Sequence, residues 1–311
     1  MVFAAAHSIL VSDEHNEMSF VERCVYVARE AIEEAGIAGI EAQTLLVLST
    51  TKGDNLDLWT PALQIAQALG CTHRPIVVSN ACTSGVCAQI TAARLLATGP
   101  YKYAVVIGCD ILTDFIRSGF EALKALSPEP CRPFDSDRQG LNLGEATACL
   151  IMARGEEAAG HWVYEAGSIH NDANHITGPS RTGEGSYRCL RDVLPTEIAD
   201  LACLSLHGTG TPYNDEMESI AVHRAGLDSV PVVSLKGYYG HTLGAAGLLE
   251  TIVTMRHLDS GLIPAAKGYQ HQGTTYALNI SAERRTTDKR HFIKLLSGFG
   301  GVNAAVRWRK Q

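Results

Sequence analysis

The 311-residue sequence has no CxxC pair, no apolar run long enough to span a bilayer, no low-complexity tract and no short-period repeat. Each absence removes a class of protein. Nine cysteines lie at irregular spacings, which suits free thiols in a reducing compartment better than a disulfide framework or a zinc site. Without a long apolar run no membrane span is expected. The opening residues, MVFAAAHSIL, have no basic n-region and break at His7, so they do not read as a secretory signal, and a cytoplasmic location is expected. Basic charge is in deficit too. Lys and Arg number 26 against 33 Asp and Glu, a net charge of −7, which argues against non-specific nucleic-acid binding. Charged residues are only 19% and hydrophobic residues 46%, the balance of a globular chain with a large core.

What is present is alternation. Helix-length patterns such as FVERCVYVAREAIEEAG and TPALQIAQALG end at glycine. Between such patterns lie apolar runs of strand length: TLLVLST, PIVVSN, YAVVIGC, ACLIMA, LACLSLHG, PVVSLKG and FIKLLSGFGG. Their near-continuous hydrophobicity predicts an α/β fold with mainly parallel strands covered on both faces. Residues 111–145 are richer in Gly, Pro and charge and read as a surface excursion. A break near 154–160 suggests two α/β halves, 1–155 and 156–311.

Four stretches place chemical side chains where predicted strands end. In VVSNACTSGVCAQI, Cys82 sits between a β-branched run and a helix-like pattern. A free cysteine is usually a small buried hydrophobe, but a helix start favours its thiolate. In SLHGTGTPYNDEMES, His207 is followed by Thr209, Thr211 and an acidic helix start; a loop-capping histidine is an equal reading. In SLKGYYGHTLGAAGLLE, Lys236 and His241 precede a small-residue helix that carries Glu250, and their ordinary readings are a solvated charge and a surface histidine. In LLSGFGGVN, glycines surround Phe299, either as a plain turn or as a mobile ring beside a pocket. One cysteine and two histidines at strand ends can make a nucleophile with its acid/base and polarising partners. Metal binding by the same residue types is disfavoured, since the spacings match no compact ligand pattern.

These stretches, in this order, resemble the beta-ketoacyl synthases, most closely the elongating beta-ketoacyl-ACP synthases of type II fatty acid and polyketide synthesis, within the thiolase-fold superfamily. ACTSG, HGTGTP with Asp215, K-x-x-x-G-H-T-x-G-A-A-G-x-x-E and GFGGVN are similar to the family's motifs, as are RPFDSDRQGLNLGEA at 132–146 and NDANHIT at 171–177. The resemblance implies two similar halves packed in αβαβα layers. It also implies that Cys82 accepts the acyl chain, that His207 and His241 stabilise an enolate, and that Lys236 and Glu250 hold the histidines electrostatically. The N–H groups of Cys82 and Phe299 would form an oxyanion hole. Thr177, Thr209, Thr211 and Gly300 would contact the phosphopantetheine arm.

The implied reaction is decarboxylative Claisen condensation with malonyl-ACP, without a metal or redox cofactor. The expected partners are an acyl carrier protein and a second ketosynthase-like subunit, identical or different. The rival readings are a chain-length-factor-like subunit and a non-decarboxylating acyltransferase or thiolase. Three departures stand out. The region before Cys82 is short, with the family's first strand, loop and helix expected to be reduced to MVFAAAHSILVSDEHNEMS. Ser297 stands where phenylalanine is common, and Tyr238 and Tyr239 lie between Lys236 and His241. Arg132 and Arg138 are expected to serve the structure through Asp135 and Glu145 rather than to dock a carrier.

Overall fold

The computed structural model describes residues 1–11, 17–37, 40, 42–172 and 174–311. The first half runs β1 (Val2–Val11), α1 (Phe20–Glu34), β2 (Thr44–Ser49), α2 (Trp59–Leu69), β3 (Ile76–Val78), α3 (Ser84–Thr98), β4 (Tyr103–Asp110), α4 (Asp114–Ala122) and β5 (Ala146–Arg154). The second continues β6 (Trp162–Asn171), α5 (Glu184–Val193), β7 (Leu201–Ser205), α6 (Pro212–Arg224), β8 (Pro231–Val233), α7 (Lys236–Tyr239) and α8 (Ala246–Asp259). Short strands β9 (Leu262–Ile263), β10 (Asn279–Ile280) and β11 (Arg285–Thr286) precede the long pair β12 (His291–Gly298) and β13 (Val302–Lys310).

Eleven strands form one sheet in the order β10-β8-β7-β12-β13-β6-β1-β5-β4-β2-β3. The order β1-β5-β4-β2-β3 is repeated by β6-β13-β12-β7-β8, and the two sets meet where Phe3 and Ala4 pair with Val163 and Trp162. Helices α1 and α2 cover the outer face of the first set, through Phe20, Val27 and Ile65 against Leu46, Val105 and Ile151. Helices α5 and α6 cover the second, through Leu190 and Val222 against Leu204 and Ile293. Between the sets lie α3 and α8, packed on Val47 and Val106 from one side and Phe292 and Trp308 from the other. This is the five-layer thiolase-like arrangement.

The central helices approach closely because both carry glycine. A Cβ on Gly85 would stand 2.9 Å from the Gly247 Cα. Helix α1 starts at a capping box, with the Glu22 N–H donating to Ser19 Oγ and the Ser19 N–H to Glu22 Oε2.

Two expectations need correction. The sheet is mixed: half of the pairs in it are antiparallel, including β1–β5, β4–β5 and β12–β13. A strand buried on both faces is uniformly apolar in either direction, so hydropathy does not reveal its sense. Strands β1, β6 and β13 had no signal of their own because small and polar residues break their apolar runs. The N-terminal strand is not reduced, since β1 is ten residues long and central, while residues 12–16 of that stretch lie outside the described residues. The 111–145 segment runs over the surface as expected, most of it exposed or half-buried, but it is anchored. It buries Phe120, Cys131, Phe134 and Leu141, and Gly144 N–H bonds the His241 carbonyl at 3.1 Å.

Candidate active site

Cys82, His207, the Lys236–His241 turn and Phe299 follow β3, β7, β8 and β12, so one end of the sheet gathers all four. Cys82 lies two residues before α3. Its approach is tight: Ala81 sits at φ 48°, Ser84 Oγ donates to the Ala81 carbonyl, and Thr83 Oγ1 donates to that of Asn80. A non-glycine residue in the left-handed region is strained, and the two side-chain bonds hold it there.

The Cys82 sulfur and a ring nitrogen each from His207 and His241 all lie within 4.8 Å of one another. The two rings meet edge to face, with centroids 5.2 Å apart. Leu243 N–H donates to His241 Nδ1 at 3.3 Å, which assigns the ring proton to Nε2. Among the described residues, His241 Nε2 and His207 Nδ1 are buried without a hydrogen-bond partner. Burial first, then the charges of Lys236 and Lys294, hold both imidazoles well below the usual histidine range, so both rings are neutral.

The thiol departs from expectation. The helix start favours a thiolate, yet burial pushes Cys82 up to about 11, against the Lys236 charge and the N–H groups of Phe299 and of Cys82 itself, which pull it down. The sulfur is a neutral thiol beside two neutral imidazoles, and those two amides point at it.

Behind the histidines lies a buried charge cluster. Lys236 Nζ donates to Glu250 Oε1 at 2.7 Å, and Lys294 Nζ donates to Glu250 Oε2 and to the Leu206 carbonyl at 3.0 Å. The histidine loop is held from α6. Glu218 accepts from the N–H groups of His207 and Gly208 at 2.8 and 2.7 Å, and Asp215 accepts from Thr209, Gly210 and Phe134. Burial and the Asp215 charge push Glu218 up to about 7. Gly208 is required, because a Cβ there would meet Phe134 and Ser234 at 2.6 Å.

A cavity of about 670 Å³ opens onto Cys82, His207 and His241 and is lined further by Thr177, Thr209, Thr211 and Phe299. Phe299 stacks on Phe120, which faces His241 edge-on. Ser297 also lines it, its hydroxyl bonded to Asn303 Oδ1 at 2.8 Å. Tyr238 points outward under Lys267, 44% exposed.

Other placements differ from expectation. Gly300 is not on the cavity wall; its N–H bonds the Ile176 carbonyl and its carbonyl accepts from Asn171, so it holds Asn171 and Ile176. Glu145 pairs with Arg23 at 2.5 Å, not with Arg132 or Arg138. Arg138 donates to the carbonyls of Asp135 and Gly273, while Arg132 reaches Asp137 at 3.8 Å. Two functional positions were missed. Glu218 had a signal, an acid three residues after Asp215 on one helix face. Lys294 had one as well, a lone charge inside the apolar run FIKLLSG.

The chain matches the beta-ketoacyl synthase N-terminal domain over residues 49–158 and the C-terminal domain over 162–270, together more than half its length. It belongs to the beta-ketoacyl synthase family. It is 32% identical to Nodulation protein E of Rhizobium leguminosarum bv. trifolii over 75% of this chain and 61% of that protein. It is also 32% identical to 3-oxoacyl-[acyl-carrier-protein] synthase 2 of Rhizobium meliloti (strain 1021), over 75% and 60%. The chain thus spans about three fifths of these curated relatives. A chain in the structure of the ketosynthase ApeO in complex with its chain length factor ApeC, from Xenorhabdus doucetiae, superposes with a TM-score of 0.85 at 22% identity. That match covers 100% of this chain and 98% of the other. At that identity the likeness speaks for the fold alone.

Proposed function

We propose that this chain catalyses decarboxylative Claisen condensation between an acyl group on Cys82 and malonyl-ACP. The observation that carries the reading is the convergence of the Cys82 sulfur with two neutral, buried imidazoles, each with one unpartnered ring nitrogen, at one cavity. The Cys82 thiol attacks the acyl thioester of a carrier protein, a histidine takes the thiol proton, and the carrier thiol leaves with a proton. The N–H groups of Cys82 and Phe299 hold the oxyanion of the tetrahedral intermediate. Malonyl-ACP then loses carbon dioxide, and the resulting enolate oxygen is held by His241 Nε2–H and by His207. The enolate carbon bonds the acyl carbon while the carbon–sulfur bond to Cys82 breaks, and the thiolate regains a proton. The reaction balances without a metal or redox cofactor. The same sulfur and nitrogens could meet on a cation, but two buried lysines behind them share one carboxylate, and that excess positive charge opposes it.

A carrier protein brings the phosphopantetheine arm past Thr177, Thr209 and Thr211, as the acyl carrier protein in the name of the Rhizobium meliloti synthase supports. A second subunit, of the same or a different chain, completes the assembly, in keeping with the ApeO–ApeC pairing. A cytoplasmic location suits the nine free cysteines. A non-catalytic, chain-length-factor-like role fits poorly with the intact cysteine and histidine pair. The deciding test is mass spectrometry for an acyl adduct on Cys82 together with carbon dioxide release from malonyl-ACP, with and without a partner chain. Failure of both in the presence of every tested partner would refute the reading.

A further inference from the structure

Lys294 stands out because its ammonium is fully buried, belongs to none of the motifs, and is not needed to balance charge. Glu250 is already paired with Lys236 at 2.7 Å, and both side chains are sealed from solvent. A second buried ammonium on the same carboxylate leaves the cluster with one excess positive charge, an arrangement that burial alone makes costly. Lys294 also donates at 3.0 Å to the carbonyl of Leu206, the residue before His207. It therefore ties the His207 peptide, the Glu250 side chain of α8 and the β12 strand that leads to Phe299.

We propose that Lys294 is a positioning residue for the histidine pair: through the Leu206 carbonyl it fixes where His207 sits, and its ammonium adds to the positive charge that both rings face. The proposal rests on the condensation reading for its use in catalysis, but not for its effect on the imidazoles. Neutral rings are what the site needs. A protonated imidazole could donate to the enolate but could not take the Cys82 proton, and two imidazolium rings in contact would repel.

The charged and titratable groups around the rings come from every neighbouring element. They are Lys236 of α7, Glu250 of α8, Lys294 of β12, Asp215 and Glu218 of α6, Asp110 at the end of β4, and Cys82 before α3. Glu250 is matched by Lys236. Glu218 is pushed up to about 7 by burial, so near neutral pH its charge is partial. Lys294 is the second cation on the Glu250 carboxylate, and it is itself drawn down to about 8 by burial.

The test reads protonation and turnover separately. Lys294→Met keeps length and removes charge and donor, and it leaves Lys236–Glu250 as a balanced pair, so the fold is expected to persist. Lys294→Gln keeps a donor for Leu206 without the charge and serves if the first variant does not fold. Carbon-13 histidine NMR titration of each, beside wild type, follows His207 and His241 directly. In wild type both rings stay neutral to well below pH 6.5; in either variant the midpoint of at least one rises by about one pH unit, the scale of a unit charge roughly 12 Å away at an effective dielectric near 20. The acid limb of malonyl-ACP decarboxylation rises with it, and kcat falls further in Lys294→Met than in Lys294→Gln while KM changes little. Superimposable histidine titrations in a folded variant would overturn the proposal. If wild type neither acylates Cys82 nor releases carbon dioxide, the condensation reading falls, and the titrations still decide what Lys294 does to the rings.

Discussion

At the scale of single residues the site is governed by competition between burial and local charge. Cys82 shows it most clearly. Its helix-start position and the Lys236 charge pull the thiol down, but desolvation wins and leaves it at about 11. At pH 7 only about one thiol in ten thousand is ionised unless a neighbour takes the proton. Iodoacetamide labelling of Cys82 in the free chain should therefore rise about tenfold per pH unit from pH 7 towards 11. A flat profile between pH 6 and 9, followed by peptide mass spectrometry, would show a preformed thiolate–imidazolium pair instead. Neutral imidazoles act as donors for the enolate, so His207→Ala and His241→Ala should each lower carbon dioxide release by about a hundredfold or more. Transfer of a radiolabelled acyl group to Cys82 should suffer less, and equal losses in the two assays would contradict the assigned roles.

Elements matter through how closely they approach. Helices α3 and α8 touch backbone to backbone at Gly85 and Gly247, which sets the start of α3, just after Cys82, against the helix that carries Glu250. Gly85→Ala adds a Cβ with no room, and overpacking of this kind commonly costs about 1–3 kcal/mol. Urea denaturation should show a lower midpoint with an unchanged slope. Glu250 joins α8 to α7 and β12 through its two lysines. Glu250→Gln strands two buried ammonium groups without a counter-charge, so a loss of about 3–5 kcal/mol is expected. An unchanged melting temperature would mean that water or a proton shift compensates. The 111–145 segment shows what element-level reading leaves out. Its glycines and prolines are those of a surface loop, but Phe120, Phe134 and Leu141 are spaced too irregularly to announce burial.

For the whole molecule, the duplicated strand order places the two halves on either side of one helical layer, and the cavity opens where both contribute. Strand β3 ends the sheet, with β2 as its neighbour on one side and no strand on the other among the described residues. Leu56, Trp59 and Leu63 stand 63%, 45% and 50% exposed at the start of α2 and on it. An open strand edge and exposed apolar side chains invite a second subunit. Light scattering of active protein at micromolar concentration should give twice the chain mass, alone or with a co-expressed partner. A fully active monomer would rule this assembly out.

Chemistry was legible in the sequence wherever it depends on residue type beside a local turn. Cys82, His207, Lys236, His241 and Phe299 each follow a strand end that the apolar runs already marked, Glu250 lies on the small-residue helix that follows His241, and the α/β alternation followed from the same runs. Three things required the tertiary structure. Strand direction did, because burial on both faces erases the alternation that would reveal it. The protonation of Cys82 and of the histidines did, because desolvation depends on what surrounds a group and not on its neighbours in the chain. The partnership of Lys294 with Glu250 and Leu206 did as well, since those groups lie 44 and 88 residues away and meet only when β12 lies beside β7.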